Sequence, residues 1–270
     1  MPDPETPMPT YETLTVSTPV DHVRILETNR PELANALNTQ MGWDLVHAFE
    51  AVAHEESPPR CIILTGAGDK AFCAGGDIKE RKGMTDGEWK LQHAVFERMV
   101  RAILDCPVPV IAAVNGAAYG GGCEISACCD FILASDTARF ALTEVTLGIM
   151  PGGGGTQTLT RAVGERRAKE LIFSGAPFTA AEAERWGLVN RVFSPETLRD
   201  ETIAVAQRIA RNAPLAVRRA KSSIHRGGQM SLRDGLAFEI EAYNRLVPTD
   251  DRREGNLAFN EKRQPQFQGK

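Results

Sequence analysis

Apolar residues recur along the chain in two rhythms, and their alternation predicts an α/β protein. Residues 12–26 read as two short strands, which Asn29 to Pro31 break. Met41, Leu45, Phe49 and Val52 then fall three to four positions apart, the spacing of one helix face, and that helix ends near Ser57-Pro58-Pro59. The unbroken apolar run Cys61-Ile62-Ile63-Leu64-Thr65 predicts a short buried strand, and a glycine-rich loop from Ala67 to Asp77 follows it. Thr85 and Glu88 have capping-box spacing, so a second amphipathic helix opens there with Trp89, Phe96, Met99, Val100 and Ile103 on its inner face. Pro107 and Pro109 stop it.

The pattern of buried strand and glycine loop then repeats. Val110-Ile111-Ala112-Ala113-Val114 runs through Asn115-Gly116 into Gly120-Gly121-Gly122-Cys123-Glu124, where a short helix starts. A strand over 131–134 leads through Phe140-Ala141-Leu142-Thr143-Glu144 to Pro151-Gly152-Gly153-Gly154-Gly155. From about residue 196 strand signals vanish, and charged helical patterns run through 199–226 and 231–245. The expected organisation is a disordered lead-in over 1–10, a core over 11–195 and a helical region over 196–270. That last region must pack against the core or a neighbouring subunit, because amphipathic helices need a partner for their apolar faces.

Composition narrows the function classes. With 270 residues, 42% hydrophobic and 24% charged, the chain is long enough for one sizeable core with an appendage. A net charge of -4 argues against a surface built for polyanions. The six cysteines (Cys61, Cys73, Cys106, Cys123, Cys128, Cys129) form no C-x-x-C pair and sit in apolar or small-residue stretches, which predicts buried thiols in a reducing compartment. MPDPETPMPT resembles neither a secretory signal nor a transit peptide, and no apolar run is long enough to span a bilayer.

The glycine loops admit two chemistries. A phosphate cradle is disfavoured, because neither G-x-x-x-x-G-K-[ST] nor G-x-G-x-x-G spacing is present. The second use is an oxyanion hole, in which Ala71-Phe72-Cys73-Ala74-Gly75-Gly76-Asp77 and Gly120-Gly121-Gly122 each supply a backbone N–H donor; plain tight turns are the alternative. Glu124 follows the triple glycine after Cys123, and Glu144 lies twenty residues on in an apolar stretch. Each alone is explained as well by a helix dipole or by nearby backbone N–H groups. Together, beside an oxyanion loop, they suit general acid and base work on a thioester. No G-x-S-x-G occurs, and the five histidines (His22, His47, His54, His93, His225) pair with no Ser or Cys motif and read as surface or satisfied residues. No His or Cys cluster has metal-ligand spacing.

Ala71-Phe72-Cys73-Ala74-Gly75-Gly76-Asp77-Ile78-Lys79, then Asn115-Gly116 through Gly121-Gly122-Cys123-Glu124, then Thr143-Glu144 through Pro151-Gly152 resemble the crotonase superfamily, and the similarity covers nearly the whole chain. The resemblance implies a spiral of repeated β-β-α turns with a C-terminal helical trimerisation region. It implies hydration of a short or branched 2-enoyl coenzyme A thioester, with Glu124 and Glu144 holding a water and Gly76 and Gly121 forming the oxyanion hole. Leu33, Ala34, Ala74, Asp77, Ile78, Lys79 and Gly152 would line the coenzyme A path, and Phe259 and Lys262 would reach the adenine end, often a neighbour's. Coenzyme A is then part of the substrate; no separate cofactor and no metal are implied. Trimers or dimers of trimers in the cytoplasm are the expected assembly and location.

Lys79-Glu80-Arg81 with Met84, the run from Pro151 to Gly155 and Ala168-Lys169-Glu170-Leu171-Ile172-Phe173-Ser174 look most like the AU-binding methylglutaconyl-CoA hydratase branch. Methylglutaconyl-CoA hydration, or enoyl-CoA isomerisation, is the alternative activity. RNA binding is the rival function, and it is disfavoured because no Lys or Arg lies between Arg30 and Arg60 while Asp44, Glu50, Glu55 and Glu56 do. Arg81, Lys82 or Arg98 can pair with an acyl carboxylate or stay solvated; side-chain direction decides.

Overall fold

The computed structural model describes residues 10–270, so the lead-in expected over 1–10 lies, apart from Thr10, outside the described residues. The chain opens on the antiparallel pair β1 (Leu14–Val20) and β2 (Val23–Thr28), then a 3-10 turn (Pro31–Leu33) and α1 (Thr39–Ala51). Asn38 starts α1 by accepting from Met41 N–H at 2.9 Å. Three turns of a spiral follow. The first is β3 (Cys61–Gly66), β4 (Ala71–Cys73), α2 (Ile78–Arg81) and α3 (Asp86–Leu104). The second is β5 (Val110–Val114), β6 (Ala117–Tyr119) and α4 (Gly121–Cys128). The third is β7 (Phe131–Ser135), β8 (Arg139–Ala141), a 3-10 turn (Glu144–Leu147), α5 (Gly155–Val163) and α6 (Glu165–Ser174). Then β9 (Phe178–Thr179), α7 (Ala180–Trp186) and β10 (Arg191–Phe193) close the core. The helices α8 (Pro195–Ala210), α9 (Pro214–Gly227), α10 (Leu232–Asn244) and α11 (Asp250–Glu261) complete the chain.

Each turn gives one strand to each of two sheets, in the orders β1-β2-β3-β5-β7-β10 and β4-β6-β8-β9. The turns stack through parallel pairing, β3 to β5 to β7 in one sheet and β4 to β6 to β8 in the other. The repeated β-β-α spiral is therefore the observed fold. The loop read from Ala67 to Asp77 contains β4, too short to carry its own hydrophobic signature.

The alternation of strand side chains separates two cores. Ile62, Leu64, Val110, Ala112 and Ile132 face α1 and α3, while Cys61, Ile63, Ile111, Ala113 and Leu133 face Leu198, Ala206 and Ala210 of α8. By this packing α8 covers the back of the large sheet, and the compact core runs on to Ala210. The helical pattern read as continuous over 199–226 is broken, because Pro214 lacks an N–H and takes the first position of a new helix, α9. Trp89, expected on the inner face of α3, is only half-buried and belongs to a cavity wall. All six cysteines are free and buried. No described helix is long and apolar enough to cross a membrane.

The spiral's turns approach so closely that some glycines have no room for a side chain. A Cβ on Gly122 would lie 2.0 Å from the Cys73 carbonyl oxygen, whereas one on Gly87 would meet nothing nearer than Thr85 Oγ1 at 3.8 Å. Gly122→Ala is expected to destabilise the protein by ~2 kcal/mol or more, and Gly87→Ala to be neutral or stabilising by up to ~1 kcal/mol. Chemical denaturation of both variants checks this; equal effects would contradict the packing account.

Candidate active site

Two of the glycine turns meet at one edge of the small sheet. Gly76 pairs with Leu37 in a parallel bridge, where Leu37 N–H donates to the Gly75 oxygen and Asp77 N–H to the Leu37 oxygen, both at 2.8 Å. Alternate backbone groups point to alternate sides, so the Gly76 N–H faces away from Leu37. Gly121 is the first residue of α4, so its N–H has no acceptor within the helix. The turns abut: a Cβ on Gly75 would lie 2.8 Å from the Tyr119 oxygen and 3.5 Å from Gly121 N, and one on Gly121 would lie 4.0 Å from Gly76 N. Gly75 at φ 95° and Gly120 at φ 50° occupy the left-handed region that favours glycine.

Glu124 sits in the first turn of α4 and is only 4% exposed. Its Oε1 accepts from Gly153 N–H at 2.7 Å and Gly155 N–H at 2.9 Å. The third glycine cluster therefore holds this carboxylate; a Cβ on Gly153 would come 2.7 Å from Glu124 Oε2. Burial pushes the Glu124 carboxyl up to about 7, the two N–H donors oppose that shift, and the Glu144 charge adds to it. Glu144, at the start of the 3-10 turn, is also buried, and burial raises its pKa. Its Oε2 has no hydrogen-bond partner among the described residues. A buried acceptor left unpaired costs about 1–3 kcal/mol, so structural satisfaction explains part of Glu124 and little of Glu144.

Both acids and both glycines line one cavity of about 690 Å³. Ala74, Ile78 and Gly152 line it as well, among apolar groups such as Leu37, Phe96, Met99 and Ile125. Leu33, Ala34, Asp77, Lys79, Phe259 and Lys262 lie outside its lining. Of these, Ala34 stands next to the loop, its oxygen accepting from Ala74 N–H at 3.0 Å. The Asp77 carboxylate is committed elsewhere, to Arg30 at 2.9 Å and to the N–H groups of Lys79 and Glu80 as the cap of α2. Phe259 is 83% exposed on α11, and Lys262 ends that helix in the left-handed conformation.

Two cavity groups escaped or exceeded the sequence reading. His93, read as a surface or satisfied histidine, lines the cavity against Gly152, where a Cβ would approach its Cε1 to 2.6 Å. It lies on the same α3 stripe as Trp89, Phe96 and Val100, the one signal that could have found it. Arg81 lies under Trp89, its guanidinium 4.3 Å from the ring centroid. Lys82 is exposed, and Arg98 pairs with Glu50 at 2.7 Å on an exposed face, so of the three cations only Arg81 turns inward. No group of three His, Cys, Asp or Glu side chains among the described residues could hold a metal ion.

A family model described as enoyl-CoA hydratase/isomerase matches residues 21–270. A short-chain-enoyl-CoA hydratase of Clostridium acetobutylicum is 43% identical over 89% of this chain and 92% of its own length. A crotonyl-CoA hydratase of Syntrophomonas wolfei is 40% identical over 92% and 95%. The crystal structure of an enoyl-CoA hydratase from Bacillus anthracis superposes with a TM-score of 0.94 at 42% identity, covering 96% of this chain and all of that one. With the family model matched over residues 21–270, relatives at 40–43% identity and a near-complete structural superposition, the chain belongs to the enoyl-CoA hydratase/isomerase family, within the crotonase superfamily.

Proposed function

We propose that the protein hydrates the α,β double bond of a short or branched 2-enoyl coenzyme A thioester. The observation that carries this reading is the convergence of two buried carboxylates and two outward-facing glycine N–H groups on one cavity. The thioester oxygen accepts from Gly76 and Gly121. Water held between Glu124 and Glu144 gives a proton to one carboxylate as its oxygen bonds to the β-carbon. The π electrons move through the α-carbon onto the thioester oxygen, and each preorganised N–H donor there is worth roughly a hundredfold to a thousandfold in rate. The other carboxyl then delivers a proton to the α-carbon, so the elements of water are added across the bond.

This cycle needs the pair to hold one proton, and the pair titrates as a unit. Below its lower pKa both groups are protonated and no base remains; above its upper pKa both are ionised and no acid remains. Because burial raises both groups, kcat/KM should trace a bell whose acidic limb lies above the ordinary carboxylate range and whose alkaline limb begins at about 7, the value to which burial pushes Glu124 up. Glu144→Gln or Glu124→Gln should lower crotonyl-CoA turnover by at least ~100-fold. Turnover like that of the wild type in either variant would sink the reading.

Self-association is proposed from the last three helices. Described buried residues are absent from α9, and α10 buries Ala242 alone, while Ile224, Leu232, Leu236, Ile240 and Phe259 stand exposed. Such a surface needs a protein partner. Light scattering at micromolar concentration should give three or six protomer masses; a monomer mass would contradict it.

A role in specific RNA binding is not supported by the charge pattern. The first helix and the turn after it are less acidic than their sequence reads, since buried Asp44 binds Thr13, Glu50 pairs with Arg98 and Glu55 with Arg24. They still offer no Lys or Arg to neutralise phosphates. Filter retention of an AU-rich RNA at low salt should be absent, and a salt-sensitive signal would reverse this conclusion.

A further inference from the structure

The cavity wall opposite in character to the two acids holds a single half-buried guanidinium, that of Arg81. Its position is fixed from three sides. The Trp89 ring lies 4.3 Å away and the Phe96 ring 5.6 Å away. Its Nε donates to Gln92 Oε1 at 2.8 Å. Gln92 is a polar residue buried in the core face of α3, and it is itself held by Nε2 donating to Thr39 Oγ1 at 2.9 Å and to Glu80 Oε2 at 2.6 Å. A buried amide with every bond made is a rigid support.

What Arg81 lacks is an anion. Glu80 is the carboxylate whose charge reaches it, but both Glu80 oxygens are taken by Thr39 N–H and Gln92, and no described carboxylate lies within ion-pair distance of Arg81. Burial disfavours its charge. The terminal nitrogens donate to no described group, although the same side chain is stacked and pinned at Nε. Lys90 and His93 of α3 line the same cavity, and none of the acids on α2 or α3 does. The guanidinium also lies deep: a Cβ on Gly76 would fall 3.1 Å from its central carbon. A group bound there is within a short chain's reach of a carbonyl on the Gly76 N–H.

We infer that Arg81 is the anchor for a carboxylate at the far end of the acyl chain, so that the preferred substrate is the monothioester of a short unsaturated dicarboxylic acid. The inference rests on the hydratase reading for the placement of the thioester carbonyl. The planar guanidinium offers two parallel N–H donors to a carboxylate, and the apolar side chains of the cavity lining, among them Leu37, Phe96, Met99 and Ile125, partly shield that pair from water. An uncharged acyl chain of the same length leaves the arginine desolvated and unpaired.

Saturated analogues test the anchor without turnover. Glutaryl-CoA is butyryl-CoA with a terminal carboxylate added, and neither can be hydrated. By calorimetry the wild-type protein should bind glutaryl-CoA at least about tenfold more tightly than butyryl-CoA, ~1.4 kcal/mol or more. In Arg81→Met the ratio of the two affinities should fall to one or below, and Arg81→Lys should keep part of it as a point charge without the planar fork. Using the ratio makes each variant its own folding control. A wild-type ratio of one or less, or a preference that Arg81→Met retains, overturns the inference, and the wild-type measurement decides it even if neither variant folds. Turnover of crotonyl-CoA and glutaconyl-CoA by the same wild-type preparation separates the two readings. Turnover without a glutaryl preference removes the anchor and leaves the hydratase, while a preference lost in Arg81→Met without turnover of either substrate leaves the anchor and removes the hydratase.

Discussion

The structure depends on one close approach, that of the β4 turn to the β6 turn. Parallel pairing of Ala71 with Ala117 and of Cys73 with Ala118 ends both strands at the same edge, and only glycine lets the following backbones touch. A Cβ on Gly116 would lie 2.4 Å from the Lys70 oxygen, and the one on Gly122 would overlap Cys73. The same contact that stacks the spiral thus places two unpaired N–H groups side by side. Stability and the proposed oxyanion site draw on the same turns, so neither can be altered alone.

Onto this frame the protein sets two carboxylates that burial disfavours. Glu124 is partly offset by the N–H groups of Gly153 and Gly155, which is a second use of backbone at a glycine cluster. Glu144 has less compensation, and its Oε2 remains unpaired. The folded-state pKa of each lies above its ordinary value, so their penalty is absent at low pH and grows as pH rises through the raised values. A site that is least comfortable where its charges are needed is the usual mark of chemistry rather than of packing.

Much of this was legible in the sequence because it is backbone chemistry. Glycine clusters after apolar strands report the turns, and an acid in an apolar stretch reports its own cost, so the two loops, Glu124 and Glu144 stand out without coordinates, while Gly76 and Gly121 are singled out within the loops by the family resemblance. Other features depend on side-chain direction. Asp77 reads as a ligand contact, yet its carboxylate closes an internal pair with Arg30, a residue 47 positions away. Asp44 reads as surface acid, yet it is buried against Thr13. His93 and Arg81 reached the cavity through helix phase and an arginine's long stem, which periodicity alone does not resolve. The break at Pro214 was visible and was overridden by the length of the surrounding pattern.

The site therefore divides by element. In the proposed hydration the reacting groups come from the turns after β4 and β6, from α4 and from the 3-10 turn at Glu144, and the glycine turns among them are packed against neighbouring backbone at Gly75 and Gly122. The Arg81 wall of the cavity belongs to α2 and the start of α3, where Gly87 has open space around it and Lys82, Thr85 and Asp86 are exposed. Away from Gly83, whose φ of 87° favours glycine, substitutions there meet few steric barriers. A change at Arg81 alters what the cavity holds without moving the glycine turns, whereas a change at Gly122 moves everything. In a fold built this way, the cavity's Arg81 wall is freer to vary than the close-packed glycine turns that carry the proposed oxyanion donors.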